Sequence, residues 1–178
     1  MITMDMKELL QKRRSIRKYA DTPIEKEKVA QLIRAALLSP TSRNTRAWEF
    51  ILVEDREVLA RLSLAKVGAQ PLKGAALGIV VCADPQKSDV WVEDTSIATI
   101  ILQLQAQDLG LGSCWIQIRE RNYQDGTPAG GYVKKLLNIP EHLQVESIVA
   151  LGYPAETRQE PAEDELLREK IHWHTYKG

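Results

Sequence analysis

Between Asp94 and Leu109 the chain carries a helical stretch whose apolar residues spread around most of the helix circumference: Ile97, Ala98, Ile100, Ile101, Leu102, Leu104 and Ala106. A helix of that kind must be buried on more than one side. The chain has 178 residues and reads as a single domain over residues 1–178. In a domain of this size a subunit interface is the natural place to bury the second side. Gly110 supplies the helix with a C-terminal stop.

Around this helix, strand and helix patterns alternate. Asp5, with Glu8 three residues on, caps a short first helix. Thr22-Pro23-Ile24-Glu25 reads as a stronger start signal, with Thr22 as cap, Pro23 at the first helical position and Glu25 closing a capping box. Val29, Leu32, Ile33, Ala36 and Leu37 then recur with helical spacing until Ser39-Pro40 stops them. Strands are expected at Trp48 to Val53, Leu77 to Ala83, Leu111 to Ile118 and Val145 to Gly152. Helices are expected at Asp55 to Lys66 and Tyr132 to Leu137, with Gly126 to Gly131 as a surface loop. The class is α+β, a mixed central sheet of about four or five strands with helices packed around it. Residues 160–178 are charged but carry Ile171, Trp173 and Tyr176, so this tail is expected to dock, on a partner subunit in the simplest case.

Composition narrows the function. There are 24 Lys and Arg against 24 Asp and Glu, for a formal net charge of zero. That balance argues against a general nucleic-acid or membrane-surface binder. No apolar run approaches a membrane span, and the N-terminus shows no leader-like apolar region, so a cytoplasmic protein is expected. Cys82 and Cys114 sit in apolar runs and read as small buried hydrophobes. His172 and His174 are too few for a metal site, and no nucleophile elbow or phosphate-binding glycine loop appears. Chemistry in such a chain belongs to a cofactor.

Three polar groupings are candidates for holding one. Lys12, Arg13, Arg14, Arg17 and Lys18, with the hydroxyl of Ser15, form a local cation cluster on a neutral background. Guanidinium forks suit a phosphate monoester; a solvated helix end is the plain alternative. The run Ser39-Pro40-Thr41-Ser42-Arg43-Asn44-Thr45-Arg46-Ala47-Trp48 offers hydroxyls, an amide and two guanidiniums for the edge of a polar heterocycle, or is an ordinary turn. In Gly110-Leu-Gly112-Ser113-Cys114-Trp115, capping explains Gly110 but not Gly112, which permits close backbone approach to a flat ring.

Together with Asp94 at the head of the central helix and Ala150-Leu151-Gly152-Tyr153-Pro154, these pieces resemble the FMN-dependent nitroreductase family, from Met6 to about Pro154. The resemblance implies a homodimer with two FMN molecules at the subunit interface. It implies that Arg13, Arg14, Ser15 and Arg17 hold the phosphate, ribityl chain and part of the ring edge. Thr41, Ser42 and Asn44 would come from the partner subunit. Gly112 and Ser113 would face the ring with their backbone, and Gln70 is the nearest amide to a ring-touching position. Where many relatives carry a basic pair after the Gly-Tyr-Pro turn, this chain is acidic from Glu160 to Glu165, leaving Arg158, Arg168 or Lys170 to complete the phosphate site. Ala47 stands where many relatives have proline.

The implied activity is ping-pong transfer of electrons from NADH or NADPH, through FMN, to a small electron-poor acceptor such as a nitroaromatic or a quinone. Arg46 is a candidate cation in the acceptor pocket. Two other readings are a flavin carrier or sensor without turnover and, remotely, a nucleic-acid binder acting through residues 12–18.

Overall fold

The computed structural model describes residues 5–178; residues 1–4, at the head of the expected single domain, lie outside the described residues. Four strands, β1 (Trp48–Val53), β2 (Leu77–Ala83), β3 (Gly112–Gln117) and β4 (Gln144–Gly152), form one sheet in the order β1-β2-β4-β3. All three ladders are antiparallel. The α+β class holds. The sheet departs from the expected mixed one, because its parallel pairing is confined to a single bridge, Ser15 to Ser113.

Side-chain alternation sorts the sheet into two faces. Leu77, Ile79 and Val81 of β2 and Val149 and Leu151 of β4 join one core with Leu32, Ala36, Leu102 and Ala106. These last four come from α2 (Lys26–Leu37) and α5 (Trp91–Asp108). Val80, Cys82, Ile148, Ala150, Cys114 and Ile116 point the other way, into a core with Leu59, Leu62, Leu72 and Val133. Those residues come from α3 (Arg56–Leu62), α4 (Pro71–Gly74) and α6 (Ala129–Leu137). Both faces are covered, which is why β2 reads as an unbroken apolar run. The remaining helix, α1 (Met6–Lys12), is capped by Asp5, whose carboxylate accepts the Glu8 N–H at 2.8 Å.

Several boundaries move. α2 starts at Lys26, because Glu25 is spent as its N-cap residue and its carboxylate accepts the Tyr153 hydroxyl; Ile24 is buried before it. The Thr22 box therefore does not form. α3 ends at Leu62, and the short α4 follows at Pro71. α5 begins at Trp91, ahead of Asp94. α6 takes in Gly130 and Gly131, which the glycine content had assigned to a loop. No described helix is long and apolar enough to cross a membrane.

Only one side of α5 is covered within the chain. Ala98, Thr99, Leu102, Gln103 and Ala106 are buried, while Ile97 and Ile100 are 38% and 37% exposed. Ile101 and Leu104, with Met6 and Leu9 of α1, line an open groove of about 410 Å³. The tail also lacks cover: Leu167, Ile171, Trp173 and Tyr176 are all exposed.

The N-terminal segment after α1 is strapped along the start of β3. Ile16 N–H donates to Ser113 O at 2.9 Å, and Ile16 sits directly on Gly112. A Cβ at Gly112 would lie 2.7 Å from the Ile16 side chain, so this position has no room for one. The strap continues beside the turn after β4: Ala20 N–H bonds Tyr153 O, Ala155 N–H bonds Lys18 O, and Arg17 N–H bonds the Glu156 carboxylate.

A register shift between Val81 and Cys82 leaves Glu146 as a bulged residue of β4. Its carboxylate is buried. One oxygen accepts from Gln117 Nε2 at 3.0 Å, whose own Oε1 takes the Trp115 indole N–H; the other oxygen has no hydrogen bond. Burial pushes the Glu146 carboxyl upward, against the pull of Gln117 and Arg119.

Two expectations test this packing. Gly112→Ala forces the strap off β3 and costs about 1–3 kcal/mol in denaturant unfolding; an unchanged midpoint would mean that Ile16 moves aside freely. Because its folded value is raised, Glu146 favours the fold while protonated, and that contribution fades as pH rises above the unfolded carboxyl range. The stability of Glu146→Gln relative to wild type therefore grows from about pH 4 towards neutrality. A pH-independent difference in melting temperature would contradict the assignment.

Candidate functional site

The strap carries the basic cluster along the start of β3. α1 ends at Arg13, whose extended backbone turns the chain onto β3. Arg13 is half-buried; its backbone N–H bonds the Leu9 carbonyl, while its guanidinium makes no hydrogen bond or ion pair among the described residues. Burial and the neighbouring Arg14 charge lower its pKa, so the guanidinium is held where its charge is uncompensated. Arg14 reaches back to the carbonyls of Leu10 and Gln11 with one terminal nitrogen, while its Nε is buried without an acceptor. Lys12, Arg14 and Arg158 line a cleft of about 240 Å³ together with Gly110, Gly112 and Glu156.

Of the three basic residues left open beyond the Gly-Tyr-Pro turn, Arg158 is the one in this cleft, paired to Glu156 at 2.8 Å. Arg168 is engaged with Glu163 in the exposed tail. Glu156, which the sequence reading passed over, is the strap's clasp: the Arg17 N–H, ahead of Arg158, holds its carboxyl below the usual range.

Ser15 and Ser113 meet in the parallel bridge, so Arg13, Arg14, Ser15, Arg17, Gly112 and Ser113 are brought together. Their roles differ from the simplest expectation. The space left by the absent Cβ of Gly112 is filled by Ile16, not held open for a ring. Ser113 is buried, its hydroxyl near Gln103 Nε2 at 3.4 Å. These two residues seat the cationic strap. Tyr19 locks it, its hydroxyl donating to the Ile16 and Ala150 carbonyls, and burial drives its phenol pKa upward.

Burial raises the Cys114 thiol pKa, and the positive charges of Arg17 and Lys66 oppose that rise. Gln70 follows Lys66 at the head of α4, exposed and capping nothing. Lys66 had no motif around it to mark it.

Thr41, Ser42 and Asn44 lie elsewhere. Residues 41–46 form a tight loop with a 3-10 turn over Ser42–Asn44. Arg43, Asn44 and Arg46 have φ of 51°, 54° and 48°, and each left-handed non-glycine residue costs about 1 kcal/mol or more. The Ser42 N–H donates to Asp94 Oδ1 at 2.9 Å, Thr41 Oγ1 accepts the Arg46 N–H at 3.0 Å, and Asn44 Oδ1 accepts from Arg46 Nε at 2.9 Å. The loop is thus tied to the first turn of α5, whereas Arg14 shares its cleft with Gln107 in the last turn. The helix between Asp94 and Gln107 spans roughly 20 Å. One chain does not gather its two polar constellations in one place.

The half-buried cations fit a phosphate ester. Arg13 lacks a counter-charge among the described residues, Arg14 Nε lacks an acceptor, and a hydroxyl, Ser15, stands beside them. An anion there offsets a cost that the fold otherwise carries.

Comparison with known proteins agrees with this geometry. The family model described as the Nitroreductase family matches residues 10–91 and 64–153. A solved structure from Clostridium difficile R20291, an FMN-dependent nitroreductase, superposes with a TM-score of 0.94 at 46% identity, covering 96% of this chain and 100% of that one. A relative from Archaeoglobus fulgidus, provisionally named NADH dehydrogenase/NAD(P)H nitroreductase, is 40% identical over 165 residues, 90% of this chain and 92% of its own length. The NAD(P)H-dependent FMN reductase of Bacillus subtilis is 26% identical over 164 residues, 80% of this chain and 63% of its own. The cationic strap on β3, the loop tied to the head of α5 and the matched span from Leu10 through Tyr153 lead to one placement: the chain belongs to the nitroreductase family.

Proposed function

We propose that this protein is an FMN-dependent NAD(P)H oxidoreductase acting as a homodimer on small electron-poor acceptors such as nitroaromatics or quinones. The observation that carries the reading is the pair of half-buried guanidiniums at Arg13 and Arg14, one without a counter-charge among the described residues and the other with a buried nitrogen lacking an acceptor. When bound, FMN supplies the two-electron chemistry, accepting a hydride from NADH or NADPH and passing electrons to the acceptor in a ping-pong cycle.

The chain's own residues bind and orient. Arg13, Arg14 and Ser15 hold the phosphate and ribityl chain, with Arg158 at the cleft's rim. Arg17 and Lys66 place positive charge at the ring edge, where it stabilises negative charge on the reduced cofactor, and Gln70 offers an amide to the same edge. Gly112 and Ser113 support the cofactor through the strap they seat.

The second constellation enters from a partner. The apolar residues on the uncovered side of α5, the exposed Ile97 and Ile100 and the partly buried Ile101 and Leu104, are centred between Ile100 and Ile101. Antiparallel pairing of two copies about that midpoint is self-complementary. It sets Asp94 and its loop opposite the partner's Gln107 and the basic cleft there. Thr41, Ser42 and Asn44 then border a ring held by the other chain, and Arg46 faces the acceptor. The exposed tail of residues 160–178 docks on the partner by the same reasoning, burying Ile171, Trp173 and Tyr176.

The purified protein is expected to be yellow, with a released chromophore that co-elutes with FMN, and NADH or NADPH bleaches it. Arg13→Ala keeps the fold and weakens FMN binding by about 1.5–3 kcal/mol, read by quenching of flavin fluorescence; unchanged occupancy counts against the phosphate assignment. Ile101→Asp puts an unpaired charge in the seam, so it sediments as a monomer and loses FMN. A mutant that remains dimeric would mean that the open face of α5 is covered in another way.

A further inference from the structure

Asp94 heads the central helix, is 3% exposed, and directs both of its hydrogen bonds away from that helix. One oxygen accepts the Ser42 N–H at 2.9 Å, and the other accepts the Ser88 hydroxyl at 3.0 Å. A buried carboxylate is costly unless it is well hydrogen-bonded, and a position in the first turn of a long helix lowers that cost.

The Ser42 bond reaches a loop that needs holding. Three of its residues are left-handed without being glycine, a conformation that persists only where its surroundings over-determine it. Its other ties are weaker anchors. The Arg43–Asp89 pair is 71% and 76% exposed, and exposed pairs contribute little. The Arg46–Asn44 and Arg46–Thr41 bonds lie within the loop itself and fix its shape but not its aim. Among the described residues, the bond to Asp94 is the one that ties residues 41–46 to the body of the fold through a buried side chain.

We infer that Asp94 is a positioning residue for the cofactor site in trans. It locks residues 41–46 to α5, so that the helix forming the seam between two copies also aims the loop at the flavin held by the other copy. The inference rests on the dimeric flavin reading above and adds to it the group that connects interface to loop.

The test is flavin affinity, measured by fluorescence quenching with FMN as the probe. Asp94→Ala weakens FMN binding roughly tenfold or more, the scale of a lost charge-assisted hydrogen bond. Ser42→Pro gives the same result while leaving Asp94 in place: Thr41 is already extended, Ser42 opens a 3-10 turn, and proline there removes only the N–H and the hydroxyl. Asp94→Ala adds little on top of Ser42→Pro, because both remove the same bond.

Mixed dimers separate positioning from general loss of stability. A subunit with Asp94→Ala paired with one carrying Arg13→Ala regains a single site of near wild-type affinity, because the intact loop and the intact cluster then face each other. Wild-type affinity in both Asp94→Ala and Ser42→Pro, or mixed dimers with no restored site, overturns the inference. If Asp94→Ala does not fold, Ser42→Pro decides alone. A wild-type protein that takes up no FMN overturns the functional reading, and this inference with it.

Discussion

Everything in this fold is arranged around a central helix that is apolar on two sides. One side of α5 buries Leu102 and Ala106 against β2 and β4, with Ala98 also buried and Thr95, Thr99 and Gln103 hydrogen-bonded. The other side presents Ile97, Ile100, Ile101 and Leu104 to the outside. Burying each such side chain fully is worth about 1.5–3 kcal/mol. These side chains are already partly covered, so an interface built on them gains a fraction of that, set against the freedom lost on association. The helix also sets the distance between the two polar constellations, since one hangs from its first turn and the other lies beside its last. On the proposed dimer, a single physical constraint would govern association and site assembly together.

The charge distribution follows a comparable economy. The chain is neutral overall, yet the strap concentrates cations where few acids reach them. Glu8 takes Lys12 and Glu156 takes Arg158 together with the Arg17 N–H. Arg13 and Arg14 are left without carboxylates among the described residues, one of them with its pKa lowered by burial. The positions of these cations are fixed by backbone bonds to β3 and to the turn after β4, so the cost of bringing like charges together is met by folding. A bound anion needs little reorganisation of the site.

Much of this was legible in the sequence because the relevant signals are local. Period-two alternation and unbroken apolar runs located the four strands to within a residue or two, and the all-round apolar pattern marked α5. The basic cluster and the glycine pair before β3 were visible as composition. What was not legible is what depends on contacts far apart in the chain. Thr22 has the right neighbours for a cap, but Tyr153 claims Glu25 and moves the start of α2. Gly112 reads as room for a ring, but the occupant is Ile16 from the N-terminal strap. Lys66 has no motif, and its charge bears on Cys114 of β3 only once the chain has folded. Glu146 is an ordinary strand residue until the register shift buries it.

On the proposed arrangement, flavin binding and association are linked by necessity. If each site takes its cations from one copy and its loop from the other, FMN binds the dimer better than the monomer, and the dimer is stabilised by FMN by the same factor. The free energy spent on the left-handed residues of the loop at 41–46 enters this linkage directly. Held by Asp94, the loop carries its strain in the free protein and has little left to lose on meeting the cofactor. Released, it would have to be reordered each time a flavin bound, and the ordering cost would be subtracted from affinity. On that arrangement, a strained loop bolted to a rigid helix would let a site shared between two copies retain its cofactor.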